Sequence, residues 1–197
     1  MLNRRDAITL LDWAHALNPG PWREHSLHAA RAAEAIAARC GMDADRAWVL
    51  GALHDIGRYE GVFDMHHTVA GYSFLMEKGD PGAARICMTH SFPDGNPDGY
   101  LGAWDVSDGE MAFIRDFIAR CVMDDYDRLI QLCDALCTAG GVVLIEKRLV
   151  DVVIRHGVRD SMPEKWRATL AIRDEFQRRI GGSIYALFDD VVTNTFS

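Results

Sequence analysis

Apolar residues recur at helical spacing along almost the whole chain. Between residues 24 and 40, Leu27, Ala30, Ala33, Ala37 and Cys40 fall at steps of three or four, and Gly41 supplies a stop. Asp43 is a good N-cap for a helix predicted over residues 43–57, which carries Ala47, Val49, Leu50 and Leu53 and closes at Gly57. Leu129, Leu132, Cys133, Leu136 and Cys137 make a further stripe. Ile172, Phe176 and Ile180 make another before the Gly181–Gly182 break. The acidic run Asp124–Asp125–Tyr126–Asp127 reads as a helix N-terminus, since carboxylates favour that end of the helix dipole. Strand signals are weak. Val142 to Ile145 and Val150 to Ile154 are rich in β-branched residues, but the helix-favouring Glu146, Lys147 and Arg148 lie between them. The pattern predicts an all-α fold, a helical bundle without a pair of alternating strands. No repeat or linker divides it, so residues 1–197 read as one domain.

One stretch breaks the helical period. Ser91 to Asp108 holds Pro93, Gly95, Pro97, Gly99 and Gly102. Loops above about 12 residues are uncommon unless they serve a function, so this one either borders a binding site or is a surface excursion.

Composition narrows the function classes. The 197 residues carry 29 acidic against 21 basic side chains, a net charge of −8, with 49% hydrophobic and 25% charged residues. That balance is typical of a soluble globular domain. It argues against a polymeric nucleic-acid partner, whose binding comes largely from Lys and Arg displacing counterions. No apolar run approaches the roughly 20 residues that span a bilayer. The N-terminal segment has polar interruptions where a signal peptide is continuously apolar, so a cytoplasmic protein without a membrane partner is expected. The five cysteines are odd in number and form no C-x-x-C pair, which suits structural thiols in helices. Self-association into a homo-oligomer stays open.

The informative feature is a set of ligand-type residues spread over separate predicted helices. His25 opens one, the doublet His54–Asp55 sits near the end of the next, His67 begins another, His90 closes the one after, and Asp134 lies inside an apolar helix. Adjacent residues on a helix diverge by about 100°, so His54 and Asp55 serve one centre only if the carboxylate reaches across, with its other oxygen turned elsewhere. Asp134 is flanked by Leu132, Cys133, Ala135 and Leu136, and burying a carboxylate there is costly without a cation, either a metal or an arginine. Imidazole and carboxylate donors without thiolate suit Fe, Mn, Ni, Co or Zn, with Mg also admissible. A site in the core of a helical bundle draws its ligands from distant parts of the chain, as these are drawn.

The ordered pattern of His25, His54–Asp55 and Asp134, in the contexts EHSLHAARAAEAIA, LGALHDIGR and HHTVAGYSFL, resembles the HD superfamily of metal-dependent phosphohydrolases. The resemblance covers residues 22 to about 140, leaving 141–197 as C-terminal helices. It implies that His25, His54, Asp55 and Asp134 hold one divalent metal, and that Asp55 bridges to a second held by His67 and His90. His66 competes for the His67 role, and the H-x-x-x-G spacing to Gly71 favours His67. The subgroup that cleaves cyclic dinucleotides has a further histidine and a glutamate where this chain has Ser91 and Phe92, so that substrate is set aside.

The implied activity is hydrolysis of a small phosphate ester or nucleotide by metal-activated water, with Asp55 and His54 at the reacting centre. Phosphate also wants fixed positive charge. Arg58, four residues after His54, is the best candidate unless it pairs with Glu60 or Asp64; Lys147 and Arg148 are weaker ones. Two alternatives stay open: a two-iron oxygenase built on the same ligand pattern, and a non-catalytic nucleotide sensor. His15 and His156 fall outside the pattern. His28 is either a hydrogen-bond partner of the site or inert. Trp13, Trp22, Trp48, Trp104 and Trp166 read as core or groove-lining aromatics.

Overall fold

The computed structural model describes residues 1–197 and builds them from ten α-helices, three short 3-10 turns and one small hairpin. Helix α1 (Arg4–Leu17) starts at a capping box between Asn3 and Asp6 and buries Ala7, Leu11 and Ala14. Helix α2 (Trp22–Arg39) follows, ending at Gly41 with φ 69°. Helix α3 (Ala44–Leu53) begins where Asp43 accepts a hydrogen bond from the Arg46 amide at 2.9 Å. It stops four residues short of the predicted end. His54 is still helical, Asp55 departs to φ −103° and ψ 12°, and a 3-10 turn runs over Ile56–Glu60.

The first helices touch backbone to backbone. The α2 residues Ala29, Ala30, Ala32, Ala33, Ile36 and Ala37 are all fully buried. A Cβ added at Gly51 of α3 would lie 2.7 Å from the Ala30 Cα. Small side chains on both faces therefore let α2 and α3 approach closely, and that approach carries His25 towards His54.

Helix α4 (His66–Glu77) and helix α5 (Pro81–Thr89) form the next pair. Gly71 of α4 sits against Cys87 of α5 and against Gly57 of the 3-10 turn. A Cβ on Gly57 would fall 2.0 Å from the His67 carbonyl oxygen and 2.4 Å from the Gly71 nitrogen. The turn is thus pressed onto the first turn of α4, while Asn18 donates to the Arg58 carbonyl from the other side at 2.7 Å.

After α5 the chain crosses the Pro/Gly-rich stretch, which contains a 3-10 turn at Pro97–Gly99, and enters helix α6 (Asp108–Arg120) through a Ser107–Glu110 capping box. Helix α7 (Asp125–Leu136) opens with the predicted acidic cap: Asp124 accepts from the Tyr126 and Asp127 amides. Asp127 does more than cap. Fully buried, it accepts from the Thr89 hydroxyl at 2.7 Å and pairs with Arg85 at 2.8 Å, tying α7 to α5.

The stripe through Leu129 and Leu136 is helical, but Cys137 is not part of it. Cys137–Thr138 (β1) pairs antiparallel with Gly141–Val142 (β2), a two-residue hairpin that the periodicity did not predict. Its reversal uses Gly141 at φ 133°, a conformation that disfavours other residues. Helix α8 (Ile145–His156), helix α9 (Met162–Ile180), a 3-10 turn at Ile184–Leu187 and helix α10 (Val191–Phe196) complete the chain. The β-branched run from Val150 is helical, as the intervening charges indicated. One apolar cluster extends from Ala7 to Val191, and a smaller one joins Met65, Met88, Phe92, Met111, Ile114 and Ile118. All five cysteines are free: Cys87 and Cys133 lie within helices, Cys40 and Cys121 at helix ends, Cys137 in the hairpin. No helix is long and apolar enough to cross a membrane.

Candidate metal centre

The six sequence-predicted ligands converge. His25 Nε2 lies 3.2 Å from His54 Nε2 and 3.0 Å from an Asp134 oxygen, which is 3.8 Å from His54 Nε2. Next to them, His67 Nε2 is 3.1 Å from His90 Nε2 and 3.1 Å from Asp55 Oδ1, with His90 Nε2 3.6 Å from the same oxygen. Asp55 belongs to both groups: it joins His25 and His54 in one set of buried donors, and His67 and His90 in the other. The early end of α3 explains how. Because the backbone turns off the helical path at Asp55, consecutive residues that would diverge on a helix both face the centre.

Of His66 and His67, it is His67 that turns into the cluster. The His67 side chain is 2% exposed, whereas His66 is 21% exposed and bonds outward to Glu60 and Glu110.

The rings are locked by backbone carbonyls. His25 Nδ1 bonds the Cys137 carbonyl (3.1 Å), His54 Nδ1 that of Gly51 (2.7 Å), His90 Nδ1 that of Ile86 (3.1 Å), and His67 Nδ1 that of Asp64. A carbonyl only accepts, so each Nδ1 carries the proton, and a neutral ring then presents a bare lone pair at Nε2. His25 Nε2 faces His54 Nε2 at 3.2 Å, and His67 Nε2 faces His90 Nε2 at 3.1 Å. Donors around an ion at about 2.0–2.2 Å stand about 3.0–3.5 Å apart, so the spacing fits a cation between them. The residues present are therefore suited to divalent metal binding. Ser91 Oγ, 3.0 Å from His90 Nε2, is placed to donate to one of the lone pairs.

The electrostatics agree. Burial alone pushes the Asp55 carboxyl up, but Arg58, with His67 and His54, overcomes it and holds the group well below the usual carboxylate range. Asp134, whose side chain is 29% exposed, is likewise held well down against burial by the neighbouring His25 and His54 rings. Burial, and then Arg58, lowers His67 to about 4. Burial also keeps His25 below its ordinary value, while Asp55 and Asp134 outweigh it at His54 and raise that ring. Both carboxylates stay ionised, and His25 and His67 stay neutral at neutral pH.

A cavity of about 190 Å³ opens onto Asp55, His67, His90 and Asp134. The Pro/Gly-rich stretch lines it with Ser91, Pro93, Tyr100, Leu101 and Gly102, so this segment borders the candidate site. Arg58 lines it too, but pairs with neither Glu60 nor Asp64. Its Nε donates to Asp55 Oδ2 at 2.7 Å and its Nη1 to the Phe63 carbonyl at 2.9 Å.

The remaining wall comes from α8 and α9. Arg148, Val152, Arg155 and His156 face the cavity from one side of α8, and Lys165 and Trp166 from α9. Lys147 does not. One step round the helix from Arg148, it looks into a separate shallow groove with Leu144, Val150 and Phe196 and lies 3.6 Å from Asp151. His156, set aside in the sequence, is thus a lining residue, and Arg155, Lys165 and Tyr100 carried no motif at all. The i, i+4, i+7 spacing of Arg148, Val152 and Arg155 marks one helix face, but nothing local says what that face meets.

No curated protein and no solved structure matches the chain. A family model does, the HD domain, over residues 22–139, more than half of the chain and the whole span from α2 to the hairpin. With five ligand-type side chains in two buried sets at the heart of that span and Asp134 beside them, the chain belongs to the HD domain family, a superfamily of metal-dependent phosphohydrolase type.

Proposed function

We propose that this protein hydrolyses a small phosphate ester or nucleotide with the help of one or two divalent metals. His25, His54, Asp55 and Asp134 would hold one metal, and Asp55, His67 and His90 a second. The observation that carries the reading is the shared Asp55 between two sets of buried donors whose Nε2 atoms face each other at 3.2 and 3.1 Å. A divalent cation there supplies a water acidified towards neutral pH and positive charge for phosphoryl oxygens.

The chain's own groups do the rest. Four carbonyls fix the imidazoles before substrate arrives, which removes reorganisation from the reaction. Asp55, kept ionised by Arg58, is the acceptor that orients the attacking water. Arg58 has Nη2 free of protein partners and presents it to a phosphoryl oxygen. The cavity is smaller than the roughly 300–1,000 Å³ clefts that enclose drug-sized ligands, which supports a compact substrate and not a polymer.

The test is elemental analysis of the purified protein, followed by phosphate release from p-nitrophenyl phosphate and nucleoside monophosphates under anaerobic conditions. His54→Ala and Asp55→Ala should each lose bound metal and at least about 10³-fold in turnover, about 4 kcal/mol, with the helical circular dichroism retained. A protein that carries iron, releases no phosphate and consumes oxygen with substrate would overturn the proposal in favour of an oxygenase.

A further inference from the structure

The α8–α9 wall holds more positive charge than the proposed chemistry uses. Arg58 is balanced by Asp55. Arg148, Arg155 and Lys165 line the same cavity, yet none is within ion-pair distance of a carboxylate, unlike the neighbouring Lys147 and Arg173. Lys165 spends one proton on the Ser91 carbonyl at 2.8 Å and lies 5.5 Å above the Tyr100 ring. Two donors on this wall are orphaned in the interior: Arg148 Nε and the Trp166 indole Nε1 are buried with no hydrogen-bond partner. Buried donors are satisfied in nearly all folded proteins, so a pair of orphans lining one cavity calls for an acceptor that enters it. The cations also repel one another. Burial and then Arg148 lower Arg155 from its ordinary value. Asp64 and Asp151 attract Arg155, and Asp94 and Asp134 attract Lys165, only from beyond ion-pair distance, and gathering like charges costs stability unless an anion relieves it.

A single phosphoryl group carries about −1.5 to −2 near neutral pH, and Arg58 with the metal ligands already addresses it. Three further unpaired cations exceed what that group neutralises. We infer that Arg148, Arg155 and Lys165, with Trp166 Nε1, form a second anion subsite, so that the substrate is a compact molecule with two anionic groups: the phosphoryl group to be hydrolysed and a second phosphate or carboxylate held by the α8–α9 wall. This rests on the phosphohydrolase reading of the same cavity and names the substrate class within it.

The experiment is calorimetric titration of the metal-loaded protein with inorganic phosphate, glycerol 3-phosphate, 3-phosphoglycerate and propane-1,3-diyl bisphosphate. A charge-assisted contact at the second subsite should make at least one of the two-anion probes bind about tenfold or more tightly than glycerol 3-phosphate. The ranking of the carboxylate and bisphosphate probes tells which second group the subsite takes. In the double variant Arg148→Gln/Lys165→Gln the preference should fall to about twofold or less, in line with the loss of two such contacts. Equal binding of one-anion and two-anion probes by the wild-type protein overturns the second subsite and leaves the phosphohydrolase reading standing. That arm needs no variant to fold. A preference that survives the double substitution overturns the assignment to these residues. Failure of every probe, inorganic phosphate included, overturns both readings together.

Discussion

The ligand cluster and the wall that faces it are built on opposite principles. Around the cluster, α2, α3, α4 and the 3-10 turn meet at alanine and glycine contacts, and every histidine ring is oriented by a backbone carbonyl. On the facing wall, α8 buries only Ile145, leaves Ile154 77% exposed on its outer side, and turns unpaired cations inward. The first region has one arrangement available to it, because backbone contacts do not adjust. The second has long side chains whose charges lack a carboxylate within ion-pair distance. Fixed geometry suits ligands that need correct distances to an ion, whereas long cations on a lightly packed helix suit recognition of whatever anion arrives.

Substitutions on each side should sharpen that contrast. The largest effect is expected at Gly57. With a Cβ 2.0 Å from the His67 carbonyl oxygen, Gly57→Ala must push the turn off α4, costing more than about 3 kcal/mol in urea unfolding. The folded fraction should bind less metal, because the shift moves Asp55 relative to His67; unchanged stability and metal content would refute the backbone-contact account.

A middle effect is expected at Asp80, which caps α5 and accepts from both Arg46 Nη atoms at 2.8 and 2.7 Å and from the Leu2 and Ala83 amides. Burial opposes ionisation, but these donors lower the carboxyl from 3.8 to about 2. The folded value lies below the unfolded one, so the stabilisation is complete above about pH 4 and disappears as pH falls towards 2. Asp80→Asn should therefore lose about 2 kcal/mol at neutral pH. It should also flatten the decline in stability between about pH 4 and 2 in acid unfolding curves. A variant with the wild-type acid profile would show that Asp80 contributes nothing by its charge.

The smallest effects belong to the outer side of α8. Lys147→Ala removes a half-exposed contact with Asp151 and should change stability by less than about 0.5 kcal/mol. Phosphate release should match wild type, since Lys147 faces away from the cavity. A large loss of turnover would mean that α8 is rotated from its observed orientation.

Much of this was legible in the chain. The stripes of α2, α7 and α9, the Asp43 cap and the acidic start of α7 follow from local spacing, and the six ligand-type positions from the resemblance to the HD superfamily. Local patterning could not reach three things. The break after Leu53 is imposed by contact between Gly57 and α4, residues that are distant in the period-counting window. The hairpin at Cys137 is too short to alternate. The charge on the cavity wall depends on which face of α8 turns inward, and Arg148 and Lys147 look alike as neighbours in a basic run.

The sequence by itself determined an all-α chain of the HD family, with histidines and aspartates on separate helices. Those features are local: residue type, helical period and order along the chain. The tertiary structure brought Asp55 into both donor sets and turned His67 inward with His66 outward, as the resemblance implied, and it alone decided that α8 and α9 supply the cations opposite. Each depends on which backbones touch, and that is set by where small residues allow close approach between segments far apart in sequence.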